Sequence, residues 1–265
     1  MKTSFNLTQM GCDILQDPNP ASKATKTLLY ADQFRIGCSF GNGNRPLRPS
    51  RPERPCLVPP NQVPQRKGKA GIPQLLHALA HIELNALDMS WHTLLMGIEF
   101  GMPSSFFDDW IVVAEQEAQH FLGLNRRLLR HHSHYGAYSA HDGLWEATMV
   151  TNDCMLARLV IVPLVLEARG LDVTPTIMAK LRKFGDTASL AQLQIIYHEE
   201  VGHVGYGVKW YRYLCNQKGL KPEKTFLDII QNRFTGRLKL PFNHEARAKA
   251  GLPQHFYDQP ALLSS

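Results

Sequence analysis

The chain's 265 residues suit one large domain or two small ones, and its 44% hydrophobic and 20% charged residues are ordinary for a globular protein with a sizeable core. No window approaches the roughly 18 consecutive apolar residues of a membrane helix. The N-terminus lacks the charged-then-apolar layout of a leader, so no membrane contact and a cytoplasmic location are expected. The net charge is +6, and the five cysteines (Cys12, Cys38, Cys56, Cys154, Cys215) are odd in number and never in a Cys-x-x-Cys. They read as reduced thiols, which sets aside a disulfide frame and a zinc site.

Two short helices are expected first, Asn6 to Gln16 and Ser22 to Phe34, with Ser22 as the cap of the second. A segment from Ile36 to Gly71 follows, rich in Gly, Pro and Arg and poor in apolar residues. A structureless stretch of that length is either functional or a wrapping segment. Between Ala21 and Ala70 ten Lys or Arg face only Asp32 and Glu53. Such a basic arm suits a polyanion such as RNA; the plainer reading is a Pro-rich connector strapping the core, with Arg45, Arg48, Arg51 and Arg54 solvating it. Residues 1–71 are therefore read as N-terminal helices and arm, 72–218 as the core, and 219–265 as a C-terminal extension.

In the core, a helix should begin after Pro73 and run to about Phe100. Gly101-Met102-Pro103 forces a tight connection, so the next helix, Ser104 or Ser105 to about His132, should return antiparallel. A third is expected from His141-Asp142-Gly143 to Gly170, kinked by Pro163, with Asp153 inward as a partner for Arg158 or another basic group, most simply in a structural ion pair. Leu171 to Pro175 would launch a short helix to Phe184, and Asp186 or Ser189 would cap a fourth core helix from Leu190 to Gln217. The tail should hold one helix, Glu223 to Arg233, and then turn irregular, with Pro241, Pro253 and Pro260.

One device occurs twice in this core. A carboxylate stands alone on one helix and a Glu-x-x-His stands on the next: Glu83 then Glu117 and His120, and Glu167 then Glu200 and His203. Residues three apart on a helix reach into one space. Tracing the apolar stripes turns all four acids inward, among Leu76, Ala80 and Leu87, then Trp110, Val113, Phe121 and Leu124, then Leu156, Val160 and Leu164, then Leu193, Ile196 and Trp210. Isolated inward carboxylates are costly, and two divalent cations would balance four of them. With eleven Glu and twelve His the motif alone is only mildly specific; the matched spacing, 34 residues in one copy and 33 in the other, carries the information. The spacing predicts an all-α, ferritin-like four-helix bundle around two metals. The plain alternative is a pair of amphipathic hairpins whose acids pair with core Lys or Arg. His77 and His81 are expected in supporting or surface roles, and Tyr197 and Tyr206 lie within a turn of the ligands.

The segments HALAHIELNALDMSWH (77–92), VAEQEAQHF (113–121), HDGLW (141–145), ARLVIVPLVLEARGLDVTP (157–175) and HEEVGHVGYGVKWY (198–211) resemble the ferritin-like family catalogued as domain of unknown function 455. LEARGLDVTP is the most specific piece. The resemblance implies metal ligands at Glu83, Glu117, His120, Glu167, Glu200 and His203. A more distant likeness is to the tRNA hydroxylase that acts on a hypermodified adenosine. Carboxylate and imidazole ligands suit iron first and manganese as the alternative. An oxygen-dependent oxidoreductase or hydroxylase acting on a small molecule is the leading expectation, with Glu117 and Glu200 bridging and catalytic residues beyond the ligands unassigned. The alternatives are a non-catalytic metal binder and an RNA-modifying hydroxylase using the basic arm. A homodimer is allowed for.

Overall fold

The computed structural model describes residues 5–41 and 45–258, and within them the protein is all-α. Pro260 and the ends of both terminal segments lie outside the described residues. The chain divides into two compact units, Met1–Gly143 and Leu144–Ser265. Among the described residues no helix is long and apolar enough to cross a membrane.

In the first unit, β1 (Phe5–Asn6) leads into α1 (Leu7–Gln16), capped where Asn6 Oδ1 accepts from the Gln9 N–H. The cap of α2 (Pro20–Ile36) is Asn19, not Ser22. Asn19 accepts from the Ser22 N–H with Pro20 at the first helical turn, and the Ser22 hydroxyl donates to Asp17 instead. After β2 (Cys38–Ser39), which pairs in parallel with β1, the chain is irregular apart from one short turn until α3 (Ile72–Glu99). Gly101, at φ +63°, then turns the chain into α4 (Ser104–Arg130). The two helices are antiparallel: Gly97 lies against Phe106 and Glu83 against His120, so equal steps back along one match equal steps forward along the other.

α3 is buried on two opposite faces. One turns to α4; the other carries a polar stripe at His81, Asn85, Asp88, His92 and Glu99, on which the basic segment lies. Arg51 Nη2 reaches Asn85 Oδ1 (2.8 Å) and Asp88 Oδ2 (3.0 Å), and Arg45 bonds Glu99 (2.9 and 3.0 Å) and His92. Arg48 pairs with Asp142. Lys23 of α2, fully buried, takes the other Asp88 oxygen at 2.7 Å. Burial pulls this ammonium below its ordinary pKa, and Asp88 opposes that. The segment is a strap, and three of its arginines are held by carboxylates of its own unit.

In the second unit the expected single helix from His141 to Gly170 is broken. α5 (Gly143–Met149) ends in a turn over residues 150–154, and α6 (Met155–Leu159) begins after it. Buried Arg158 explains the break: its Nε donates to Thr151 Oγ1 (2.6 Å) and its Nη2 to the Thr148 carbonyl, an acceptor that a continuous helix would have used. Asp153 is not its partner; it is exposed and pairs with Arg233. Val160–Glu167 then forms a π-helix with Pro163 inside, where only a kink was expected, and α7 (Ala168–Lys183) continues straight through Gly170. Pro175 is tolerated within α7 because the Leu171 carbonyl, which its missing N–H leaves without a helical partner, accepts from Asn243 Nδ2 (3.1 Å).

α8 (Thr187–Gln217), capped by Asp186, returns along α7 and the π-helix, and α9 (Pro222–Arg233) follows. The tail is less irregular than expected. α10 (His244–Lys249) and a turn at Gln254–Phe256 are latched by Arg247, which grips both Asp172 oxygens (2.9 and 2.7 Å) while stacked against Phe242 and Tyr257.

Candidate metal centre

In the first unit the site grows out of the α3–α4 contact. Glu83 projects from the face of α3 that carries Leu76, Ala80 and Leu87, and Glu117 and His120 project from the face of α4 that carries Val113, Ala114, Phe121 and Leu124, all buried. His120 Nδ1 lies 3.2 Å from Glu83 Oε2 and 3.4 Å from Glu117 Oε2. One donor atom from each of the three residues falls within 4.8 Å of the others. Glu83 is 4% exposed and the other two fully buried. Two carboxylates in an apolar layer carry two negative charges, and a proton on His120 Nδ1 can offset only one. One divalent cation offsets both and uses the imidazole as a neutral ligand, so the donor set fits a metal. Ala80 and Ala86, one turn either side of Glu83, are buried small side chains.

The second unit carries the matching set. A Cβ at Gly207 of α8 would stand 2.5 Å from the Pro163 ring, so α8 and the π-helix touch backbone to ring there. Four residues on from Pro163 is Glu167, the last residue of the π-helix, and four back from Gly207 is His203. Each thus lies about one turn along its own helix from that contact. Glu200 Oε2 lies 3.7 Å from His203 Nδ1, too far for a hydrogen bond, and is buried with no hydrogen-bond partner among the described residues. A buried carboxylate oxygen with no hydrogen-bond donor beside it has the charge and lone pairs to take a cation. Glu167 is partly exposed, while Glu200 and His203 are buried.

His77 and His81 are not surface residues. His77 Nε2 accepts from the Gly136 N–H (3.0 Å), and burial pushes its pKa down to about 4, with His134 and Arg66 adding to the effect. His81 lies between Tyr135 Oη (2.8 Å) and the His141 carbonyl (3.1 Å), and burial takes it down to about 3. A carbonyl only accepts, so His81 carries its proton on Nε2 and accepts a hydrogen bond from the Tyr135 hydroxyl on Nδ1. Both rings brace the segment after α4. Tyr197 accepts from Asn243 and belongs to the tail's anchorage. The π-helix beside Glu167 is the feature that the sequence showed only as a proline.

The family model described as "Protein of unknown function (DUF455)" matches residues 16–258. A Haemophilus influenzae protein described as uncharacterised is 39% identical over 214 residues, which span 78% of this chain and 74% of that protein. No solved structure matches. The chain is a member of this DUF455 family.

Proposed function

We propose that the chain is an oxygen-dependent oxidoreductase of the ferritin-like two-metal kind acting on a small molecule, with Glu83, Glu117, His120, Glu167, Glu200 and His203 as ligands to two divalent ions, iron in the first place and manganese as the alternative. The observation that carries this reading is the buried cluster of Glu83, Glu117 and His120, whose charge and donor atoms suit a cation. Bound in carboxylate and imidazole ligands, a pair of such ions supplies electrons for the reduction of dioxygen. The chain's own part is to bind, dry and orient. Glu83 and Glu117 would offset the charge of an ion, His120 would hold it as a neutral imidazole, and Phe121, Val113 and Trp110 keep bulk water from the layer. The π-helix ends at Glu167, so an irregular turn sets the position of that carboxylate.

Metal analysis of protein purified without chelators, followed by anaerobic iron loading and exposure to oxygen in an absorption spectrometer, tests the reading. About two metals per chain are expected, with a transient absorption change on adding oxygen. Glu83→Ala and His203→Ala should each lose metal while keeping helical content. Two metals without any response to oxygen would leave a non-catalytic metal protein. Full metal content in both variants would refute the site.

A further inference from the structure

Away from this cluster, on the strap side of α3, the first unit holds a cavity of about 300 Å³. Arg51, Glu53, Pro55 and Leu57 of the strap wall it on one side, and His81 and Tyr135 on the other. Such a volume is at the lower end of small-molecule sites. We propose that it is a binding site for a small monocarboxylate with a short apolar body, held by Arg51.

The argument begins with charge. Lys23 and Arg51 share one carboxylate, Asp88, which takes the ammonium at 2.7 Å and the guanidinium at 3.0 Å. Lys23 and Asp88 are sealed from solvent, whereas about 20% of the Arg51 side chain remains exposed. Two cations against one anion leave one positive charge in a largely dry place. Arg51 Nη2 is occupied by Asn85 and Asp88, but Nη1 is buried with no hydrogen-bond partner among the described residues. The guanidinium is therefore anchored and oriented, with donor capacity left over and a cavity beside it.

The other polar walls narrow the class of guest. The His81 ring is neutral, with its two nitrogens bonded to Tyr135 and the His141 carbonyl, and the Tyr135 hydroxyl proton is committed to His81. Neither has a donor left for a second anion-binding contact. Glu53 is exposed, and it repels a dianion more than a monoanion. Pro55 and Leu57 offer apolar contact to the rest of the guest. One guanidinium, one opposing carboxylate and apolar walls favour a monocarboxylate over phosphate.

The probes are benzoate, the uncharged isostere benzamide, and inorganic phosphate, titrated into the full-length protein by calorimetry at constant ionic strength. Benzoate should bind at least about tenfold more tightly than benzamide, as a charge-assisted hydrogen bond from Arg51 Nη1 requires. Phosphate should bind more weakly than benzoate. Arg51→Gln should bring benzoate down to the benzamide level. Glu53→Gln, at an exposed site that the fold does not need, should tighten benzoate about two- to threefold and phosphate more. Equal binding of benzoate and benzamide, unchanged benzoate affinity in Arg51→Gln, or no benzoate binding at millimolar concentration would each overturn the proposal, and tighter phosphate binding would overturn the carboxylate assignment. None of these readouts depends on metal in the Glu83 cluster, so the two proposals fail separately.

Discussion

Two glycines on α8 should respond to the same substitution with opposite sign. A Cβ at Gly207 would lie 2.5 Å from both Cβ and Cγ of Pro163 and 2.8 Å from Leu164 Cδ1. The proline ring sits within the π-helix and has no rotamer to retreat into, so the helices themselves must part. Overpacking of this kind costs about 1–3 kcal/mol. Alanine returns up to about 1 kcal/mol of helix propensity, so Gly207→Ala should destabilise by about 1–2 kcal/mol and lower Tm by roughly 2–8 °C. Gly202 lies on the same helix, exposed, with nothing within 4 Å of its Cβ position. Gly202→Ala should stabilise by about 0.5–1 kcal/mol. Denaturant unfolding of the two variants beside the parent measures both, and metal analysis adds a second readout, because parting α8 from the π-helix should lower occupancy at His203 and Glu167. A Gly207→Ala protein as stable as the parent, with full metal, would refute the close contact.

The buried charges of the first unit give a paired test. Asp88→Asn strands Lys23 and Arg51 together and should cost about 3–5 kcal/mol, whereas Lys23→Met leaves Asp88 with Arg51 and should cost far less in the same denaturant assay. Asn243→Ala removes the cap of α10, the partner of the Leu171 carbonyl and a bond to Tyr197; about 1–3 kcal/mol of local stability should go, seen as faster proteolysis of residues 235–258 while α8 stays protected. His77 titrates at about 4 in the folded chain, below its unfolded value of about 6.5, so the unfolded chain takes up the proton first. Its contribution is complete above the unfolded value and is lost as pH falls towards the folded one, up to about 3 kcal/mol. His77→Gln should flatten that part of the stability–pH curve; an unchanged slope would show that His77 is not the group responsible.

The helices that run through strong apolar stripes were legible in the sequence, and so were the carboxylates and histidines facing inward from them. α3, α4 and α8 fell within a few residues of their expected ends because Pro73, Gly101-Met102-Pro103 and Asp186 punctuate the chain there. The third core helix was misjudged because local signals and tertiary partners disagree in it. Gly170 read as a helix end and Pro175 as part of the start of a new helix, yet Gly170 stays helical and Asn243, far along the chain, satisfies the carbonyl that Pro175 orphans. Arg158 looked like one half of an ion pair, and instead drew its acceptors from a break in the helix. The strap's purpose was also readable, had the polar positions of α3 been traced as the apolar ones were. His81, Asn85, Asp88, His92 and Glu99 recur at helical spacing on the face opposite Glu83, and they are where Arg45 and Arg51 lie.

That stripe has a kinetic consequence. Among the described residues the strap has few backbone hydrogen bonds of its own, and its arginines find partners far along the chain: Arg45 reaches Glu99 across 54 residues. It can dock only on an α3 that already exists, so its contacts are expected to form late, after the rate-limiting barrier of folding. Weakening them should leave the folding rate nearly unchanged and speed unfolding. The arginine clasp would then set how long the native state lasts once it has formed.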